Sequence, residues 1–172
     1  MITESLPARE LFIKLHEPVS ELLDLLSSKT EVALNTVPFK NSWTAAQVAD
    51  HITKSTSSIA KAMNMESAPT GRDPGERIQE LKKMFLDFTV KFKSPEFILP
   101  SQDVYEKEPL IGKLNSSFSQ LKERANSVNL SGMITHPAFG DITKLELLYF
   151  VLYHTRRHLR QVKNILLIVE SK

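Results

Sequence analysis

The chain of 172 residues contains no cysteine, which excludes disulfide bonds, zinc sites with thiolate ligands and a thiol nucleophile carried by the protein. If thiol chemistry takes place here, the thiol must therefore come from outside the chain. Glycine is also scarce, at five residues. Because alternating β-branched runs are few as well, we predict an all-α fold.

A strong excess of charge is also absent, since the formal net charge is +2 and the basic residues are scattered. This distribution argues against binding to nucleic acid or to a membrane surface. No apolar run reaches the roughly 20 residues that a membrane span requires. The stretch 1–12 lacks the basic and apolar regions of a secretion signal, so we expect a cytoplasmic protein. A hydrophobic content of 41% suits one globular domain spanning 1–172.

The segment 143–169 is free of glycine and proline and is predicted to be the longest helix. Thr143 and Glu146 have the spacing of a capping box, in which each side chain accepts the other residue's backbone N–H. Ile142 and Leu147 occupy the flanking positions of a hydrophobic staple. The start of this helix is therefore well specified by local sequence.

Two histidines, His154 and His158, lie four residues apart on the apolar face of this predicted helix. That spacing places two ring nitrogens one turn apart, where both can reach one metal ion. Two ordinary core histidines with hydrogen-bond partners would have the same spacing. However, two apposed imidazoles cannot both be charged in an apolar interior, and a bound cation gives both a partner. We therefore predict a metal site.

A second helix, from Thr44 to about Met65, supplies the best candidate for a third ligand. Thr44 and Gln47 form its capping box. His51 lies at the edge of its apolar stripe, and its neighbours there leave room beside the imidazole. These neighbours are small or polar: Gln47, Ser55, Ser58 and Ala62.

Three other residues of types that often serve function have structural explanations. Trp43 precedes the cap of the second helix and forms a hydrophobic staple with Val48. His16 has no partner at metal-ligand spacing, and we expect it at the surface. His136 precedes Pro137, a dipeptide typical of a turn, with Gly140 free to adopt positive φ.

The remaining segments with helical periodicity are 8–28, a segment that begins at Asp73, and 110–127. Pro18 predicts a kink in the first, or two shorter helices that meet there. Asp73 is the predicted N-cap of the helix that follows it, and the buried face of that helix would include Phe88 and Phe92. We predict that the segments 8–28, 44–65, 110–127 and 143–169 form a four-helix bundle. The helix after Asp73 belongs to a long crossover.

The sequence resembles the DinB/YfiT-like superfamily of four-helix-bundle metalloproteins over nearly its whole length. The resemblance lies in WTAAQVADHI around His51 and in the pattern H-x-x-R-H-x-x-Q, which runs here from His154 to Gln161. It implies a four-helix bundle in which His51, His154 and His158 bind the metal. It also implies chemistry with low-molecular-weight thiols, because some relatives are transferases that use bacillithiol, mycothiol or glutathione. Others are thiol-dependent isomerases.

Three imidazoles from two helices would leave an open face on a divalent ion, where the pKa of a bound water or thiol falls by several units. Such ligands suit Zn²⁺, Ni²⁺ or Fe²⁺ about equally. Gln161 is one turn beyond His158, so it either supports the site or touches a bound cofactor, or it packs as an ordinary amide. Asp50 points about 100° away from His51 around the helix, so no carboxylate base faces the metal.

These observations favour a transferase that uses the metal and a small exogenous thiol on a small-molecule substrate. One alternative is a metal-dependent hydrolase, which would need an acid or base from a loop. Another is a non-catalytic metal-binding bundle that serves to form a homodimer.

Overall fold

The structure is a computed structural model that describes residues 6–172. The first five residues, part of the stretch in which we expect no secretion signal, lie outside the described residues. The helices are α1 (Leu6–Ser27), α2 (Glu31–Leu34), α3 (Ala45–Met63), α4 (Ile78–Leu86), α5 (Lys107–Ala125) and α6 (Lys144–Glu170), with a 3₁₀ turn at Glu96–Ile98. Two strands, β1 (Met133–His136) and β2 (Gly140–Thr143), form a hairpin.

The four long helices α1, α3, α5 and α6 form a bundle around one hydrophobic core. α6 packs against both α1 and α3, and α3 also packs closely against α5. Fully buried leucines and isoleucines from all four helices fill the interior, among them Leu11, Leu22, Ile52, Leu114 and Leu147. The predicted four-helix bundle is therefore confirmed, and α4 lies in the long crossover as predicted. Across the described residues, no helix is long and apolar enough to cross a membrane.

α1 continues through Pro18 as one helix, so the expected division into two shorter helices is wrong. Pro18 is buried, on the same side as Leu15, Leu22 and Leu26. The apolar contacts of that side outweigh the roughly 3 kcal/mol that an interior proline costs a helix.

The loop around His136 is more regular than predicted, because β1 and β2 pair as an antiparallel hairpin. Gly140 has a φ of 65°, which confirms the positive φ expected there. His136 is buried, its Nδ1 accepts the backbone N–H of Ala138 at 3.1 Å, and its ring packs on Phe139. These contacts agree with the structural role expected for His136.

α4 is shorter than the sequence predicts, and the predicted N-cap is wrong. Asp73 instead caps a turn, where its side chain accepts the backbone N–H of Gly75. The helix begins at Ile78 and ends at Leu86. Phe88 and Phe92 therefore lie beyond it and are 43% and 44% exposed, so their predicted burial is also wrong.

An ion pair fixes the beginning of the crossover to α6. The Arg72 guanidinium donates two parallel hydrogen bonds, of 2.7 and 2.8 Å, to the Glu146 carboxylate, which is fully buried. Glu146 also accepts the backbone N–H groups of Thr143, as the predicted capping box requires, and of Arg77. Burial raises the pKa of Glu146, but these hydrogen bonds outweigh it and hold the pKa below its usual value.

Replacing Arg72 by methionine is expected to lower the free energy of unfolding by about 2–4 kcal/mol, because it leaves a buried carboxylate without its cation. Chemical denaturation measures the change. The matched control is Lys29→Met, which removes the pair with Glu170, a carboxylate that is exposed and not buried, and should cost less than about 1 kcal/mol. Equal effects in the two variants would contradict this role for Arg72.

Candidate metal centre

α3 and α6 bring the three predicted ligands together in the interior of the bundle. The Nε2 atom of His51 lies 3.1 Å from that of His154 and 3.1 Å from that of His158, and the remaining Nε2 pair is 3.0 Å apart. His51 and His154 are buried, and His158 is half-buried. Elsewhere in residues 6–172, no other group of three histidines or carboxylates lies close enough to share an ion.

In two of the histidines, a hydrogen bond from Nδ1 determines where the lone pair of Nε2 points. His51 Nδ1 donates to the Ile98 carbonyl at 2.8 Å, and His158 Nδ1 donates to Oε1 of Gln161 at 2.7 Å. A neutral imidazole carries one N–H, so both Nε2 atoms present lone pairs to the same point. Gln161 thus orients a ring of the cluster, while its predicted contact with a bound cofactor stays a prediction.

The surroundings keep these rings neutral. Burial lowers the pKa of all three, and the positive charge that neighbouring rings would carry lowers the pKa of His154 and His158 further. The pKa of His158 falls to about 3 even though Gln161 opposes the shift. Lone pairs 3.0–3.1 Å apart repel one another, whereas one divalent ion can lie about 2.1 Å from all three nitrogens. The donor set therefore fits a metal ion.

Aromatic rings pack around the cluster. The centroid of Trp43 lies 5.2 Å from that of His51, and those of Phe150 and Phe85 lie 5.0 and 6.3 Å from that of His154. From the sequence, the only role predicted for Trp43 was in the hydrophobic staple. Its contact with His51 was missed because Trp43 precedes the helix, where helical periodicity does not place a side chain.

One face of α3 holds the backbone of the crossover over His51. Gln47 Nε2 donates to the Ser101 carbonyl at 3.2 Å, and Lys54 Nζ donates to the Leu99 carbonyl at 2.8 Å. Asp50 accepts the Ser101 N–H at 3.1 Å and the Tyr105 hydroxyl at 2.7 Å. We call Gln47, Asp50, Lys54 and Tyr105 the α3 clamp. As expected, Asp50 points away from the histidine cluster.

Bonding within the α3 clamp keeps the Asp50 carboxylate charged. Burial raises the pKa of Asp50, but hydrogen bonds from Lys54, Tyr105 and Ser101 outweigh it and lower the pKa. Burial and the neighbouring carboxylate raise the pKa of Tyr105. Asp50 is therefore occupied by its own partners and is not free to act as a base at the cluster.

Arg157, next to His158, binds the part of the crossover at the end of α4. Its guanidinium donates to the carbonyls of Phe85, at 3.2 Å, of Asp87, at 2.9 Å, and of Val90, and it lies 5.0 Å from the centroid of the Phe92 ring. These carbonyls lie at and beyond the end of α4, which explains why that helix stops early. The only indication in the sequence was the arginine in the pattern H-x-x-R-H-x-x-Q.

A family model described as the DinB superfamily matches residues 15–162. The chain belongs to the DinB superfamily. This confirms the resemblance inferred from the histidine pattern and the helix that follows Trp43.

This DinB-superfamily chain is also similar to two individual proteins. It is 25% identical over 149 residues to YuaE, an uncharacterized protein of Bacillus subtilis (strain 168), covering 81% of this chain and 87% of YuaE. It also resembles the crystal structure of TT2238, a four-helix bundle protein, with a TM-score of 0.59. That likeness covers 91% of this chain and 98% of TT2238 at 19% identity, and it supports the fold alone.

Proposed function

We propose that this protein is a metal-dependent transferase that joins a low-molecular-weight thiol to an electrophilic small molecule. The observation that carries the proposal is the convergence of three neutral Nε2 atoms at 3.0–3.1 Å from one another. His51, His154 and His158 would hold one divalent ion, with zinc, nickel and iron all suited to imidazole nitrogen. Such an ion supplies Lewis acidity, which lowers the pKa of a thiol bound to it.

Two features of the chain favour an exogenous thiol over water as the nucleophile. The sequence has no cysteine, so any sulfur nucleophile must be a separate molecule. In addition, Asp50, the residue before His51, is hydrogen-bonded to Ser101 and Tyr105. Within the described residues, no carboxylate joins the histidine cluster. A hydrolytic reaction at this cluster would therefore lack a carboxylate of residues 6–172 as its general base. The thiol-using relatives implied by the sequence resemblance support the same choice.

The proposed reaction balances without any further reactant. The sulfur of the thiol forms a bond to an electrophilic carbon, the bond from that carbon to its leaving group breaks, and the leaving group departs with the electron pair. The thiol proton passes to solvent.

The experiment is a conjugation assay with an aryl halide and, in turn, bacillithiol, mycothiol, glutathione and coenzyme A. We expect metal-loaded wild-type protein to accelerate conjugation with one of these thiols and His154→Ala to lose at least about 100-fold in rate. His136→Ala, which removes a buried histidine outside the cluster, is the control and should retain the activity.

Other outcomes distinguish the alternatives. Equal rates for wild type and His154→Ala with every thiol would overturn the transferase proposal. Hydrolysis of an activated ester without thiol, lost in His154→Ala, would instead establish a hydrolase. Metal binding without either reaction would leave a non-catalytic bundle, and sedimentation would then test the predicted homodimer.

A further inference from the structure

We propose that Asp50 and Tyr105 are positioning residues that set the metal affinity of the histidine cluster by holding the Ile98 carbonyl on His51. This inference rests on the metal centre of the proposed function. It assigns a role to two side chains that touch none of the three candidate ligands' Nε2 atoms. Their link to His51 runs through the backbone of the crossover.

The carbonyl of Ile98 is the partner that leaves Nε2 of His51 with its lone pair free. Nδ1 of His51 donates to this carbonyl, and among residues 6–172 the other hydrogen-bond distances of the ring are all from Nε2 to the two other imidazoles. A displaced Ile98 would free the ring to rotate or to move its proton to Nε2, and a protonated Nε2 cannot bind a metal.

Asp50 is the main anchor of this part of the crossover. One of its oxygens, Oδ2, lies 3.1 Å from the Ser101 N–H, 2.7 Å from the Tyr105 hydroxyl and 2.9 Å from Lys54 Nζ. Ser101 is three residues after Ile98, so the bond to its N–H limits how far the Ile98 carbonyl can move. Lys54 adds a direct bond to the Leu99 carbonyl, immediately beside Ile98.

Tyr105 is itself fixed from the opposite side. Its backbone N–H donates to Oδ1 of Asn35 at 2.9 Å, and its carbonyl accepts Nδ2 of Asn35 at 2.9 Å. Asn35 follows α2 directly, so that short helix serves as the support for Tyr105. The hydroxyl of Tyr105 is thus presented to Asp50 by a rigid backbone, which is what a positioning role requires.

The size of the effect follows from the behaviour of groups that orient metal-bound histidines. Loss of such a partner typically weakens metal affinity 10–100-fold, because the ligand must be reoriented at the expense of binding. Tyr105→Phe removes one hydroxyl and keeps the ring. We therefore expect Tyr105→Phe to bind Zn²⁺ about tenfold more weakly than wild type, and Asp50→Asn to do the same or worse.

The test is competition for Zn²⁺ between each protein and a chromophoric chelator, at a temperature where every variant is fully folded by circular dichroism. Tyr149→Phe is the matched control, because Tyr149 is a partly buried tyrosine of α6 beside Tyr153 and Lys14. The Tyr149→Phe protein should bind Zn²⁺ with the affinity of wild type. Hydrogen exchange of the metal-free proteins supplies a second readout. The Ser101 amide should exchange faster in Tyr105→Phe than in wild type, and at the wild-type rate in Tyr149→Phe.

The outcomes separate this inference from the proposal beneath it. If wild type binds Zn²⁺ and His51→Ala does not, but Tyr105→Phe and Asp50→Asn match wild type, the positioning role is wrong and the metal centre stands. If wild type itself fails to bind Zn²⁺, Ni²⁺ and Fe²⁺, the metal centre is wrong and the positioning role falls with it. Weaker binding in both variants, with Tyr149→Phe unchanged, supports the role.

Discussion

Replacing His154 by alanine is expected to weaken the binding of a divalent ion by at least about 100-fold. Structural zinc sites with four ligands bind with about 10–16 kcal/mol, so one ligand is worth roughly 3 kcal/mol, or about two powers of ten in affinity. His154 is buried and its Nε2 lies 3.0–3.1 Å from both partner nitrogens, so water cannot readily replace it in the same place.

Metal content after purification and competition with a chelator both measure this loss. His158→Ala should behave like His154→Ala, because its Nε2 is an equal corner of the triangle. His136→Ala is the control for the loss of a buried imidazole and should retain the ion. Unchanged metal content in both cluster variants would show that these histidines do not form the site.

The metal-free protein is expected to lose stability steeply as the pH falls below about 6.5. The unfolded chain protonates its histidines near pH 6.5, whereas burial depresses the pKa of His51 and His154 in the folded state and lowers that of His158 to about 3. Between these pH values the unfolded state binds more protons, so acid favours unfolding. Each of the three histidines contributes up to about 1.4 kcal/mol per pH unit.

For His158 this contribution extends from about pH 6.5 down to its folded pKa of about 3, against a total stability of about 5–15 kcal/mol for a typical domain. Urea unfolding of chelator-treated protein, at several pH values between 7 and the acid midpoint, measures the slope. His158→Gln should show a shallower slope than wild type, because the contribution of His158 is absent. A slope that is the same in wild type and His158→Gln would show that His158 is not held neutral by the fold.

Local sequence was sufficient to predict where two of the bundle helices begin. The capping boxes at Thr44 and Thr143 form as predicted, with each side chain and backbone group satisfied within a single turn. Periodicity also placed His154 and His158 together on the buried side of α6. These features depend on residues no more than four positions apart, which is why sequence alone could predict them.

The features that could not be predicted depend on contacts distant in sequence. α4 ends where it does because Arg157, about 70 residues later, binds the carbonyls beyond its last turn. Met133, the first residue of β1, forms backbone hydrogen bonds with Ala68, which precedes α4. No local pattern in either segment records these partners.

The α3 clamp was missed for a related reason. Gln47, Asp50 and Lys54 are polar and lie beside one another on α3, which is the composition of a solvent-facing surface. Only the fold shows that this surface is covered by residues 98–101. A polar helix face and a face that binds backbone carbonyls have the same residue types, so composition cannot separate them.

The positions of the ligands along the chain also determine when the site can form during biosynthesis. His51 is separated from His154 by 103 residues and from His158 by 107, and the last two both lie on α6. A nascent chain that ends anywhere before α6 carries only His51 of the three and cannot assemble the triangle. In the proposed metal centre, an ion could be captured only after α6 docks, so it would stabilise the completed bundle and not partly synthesised chains.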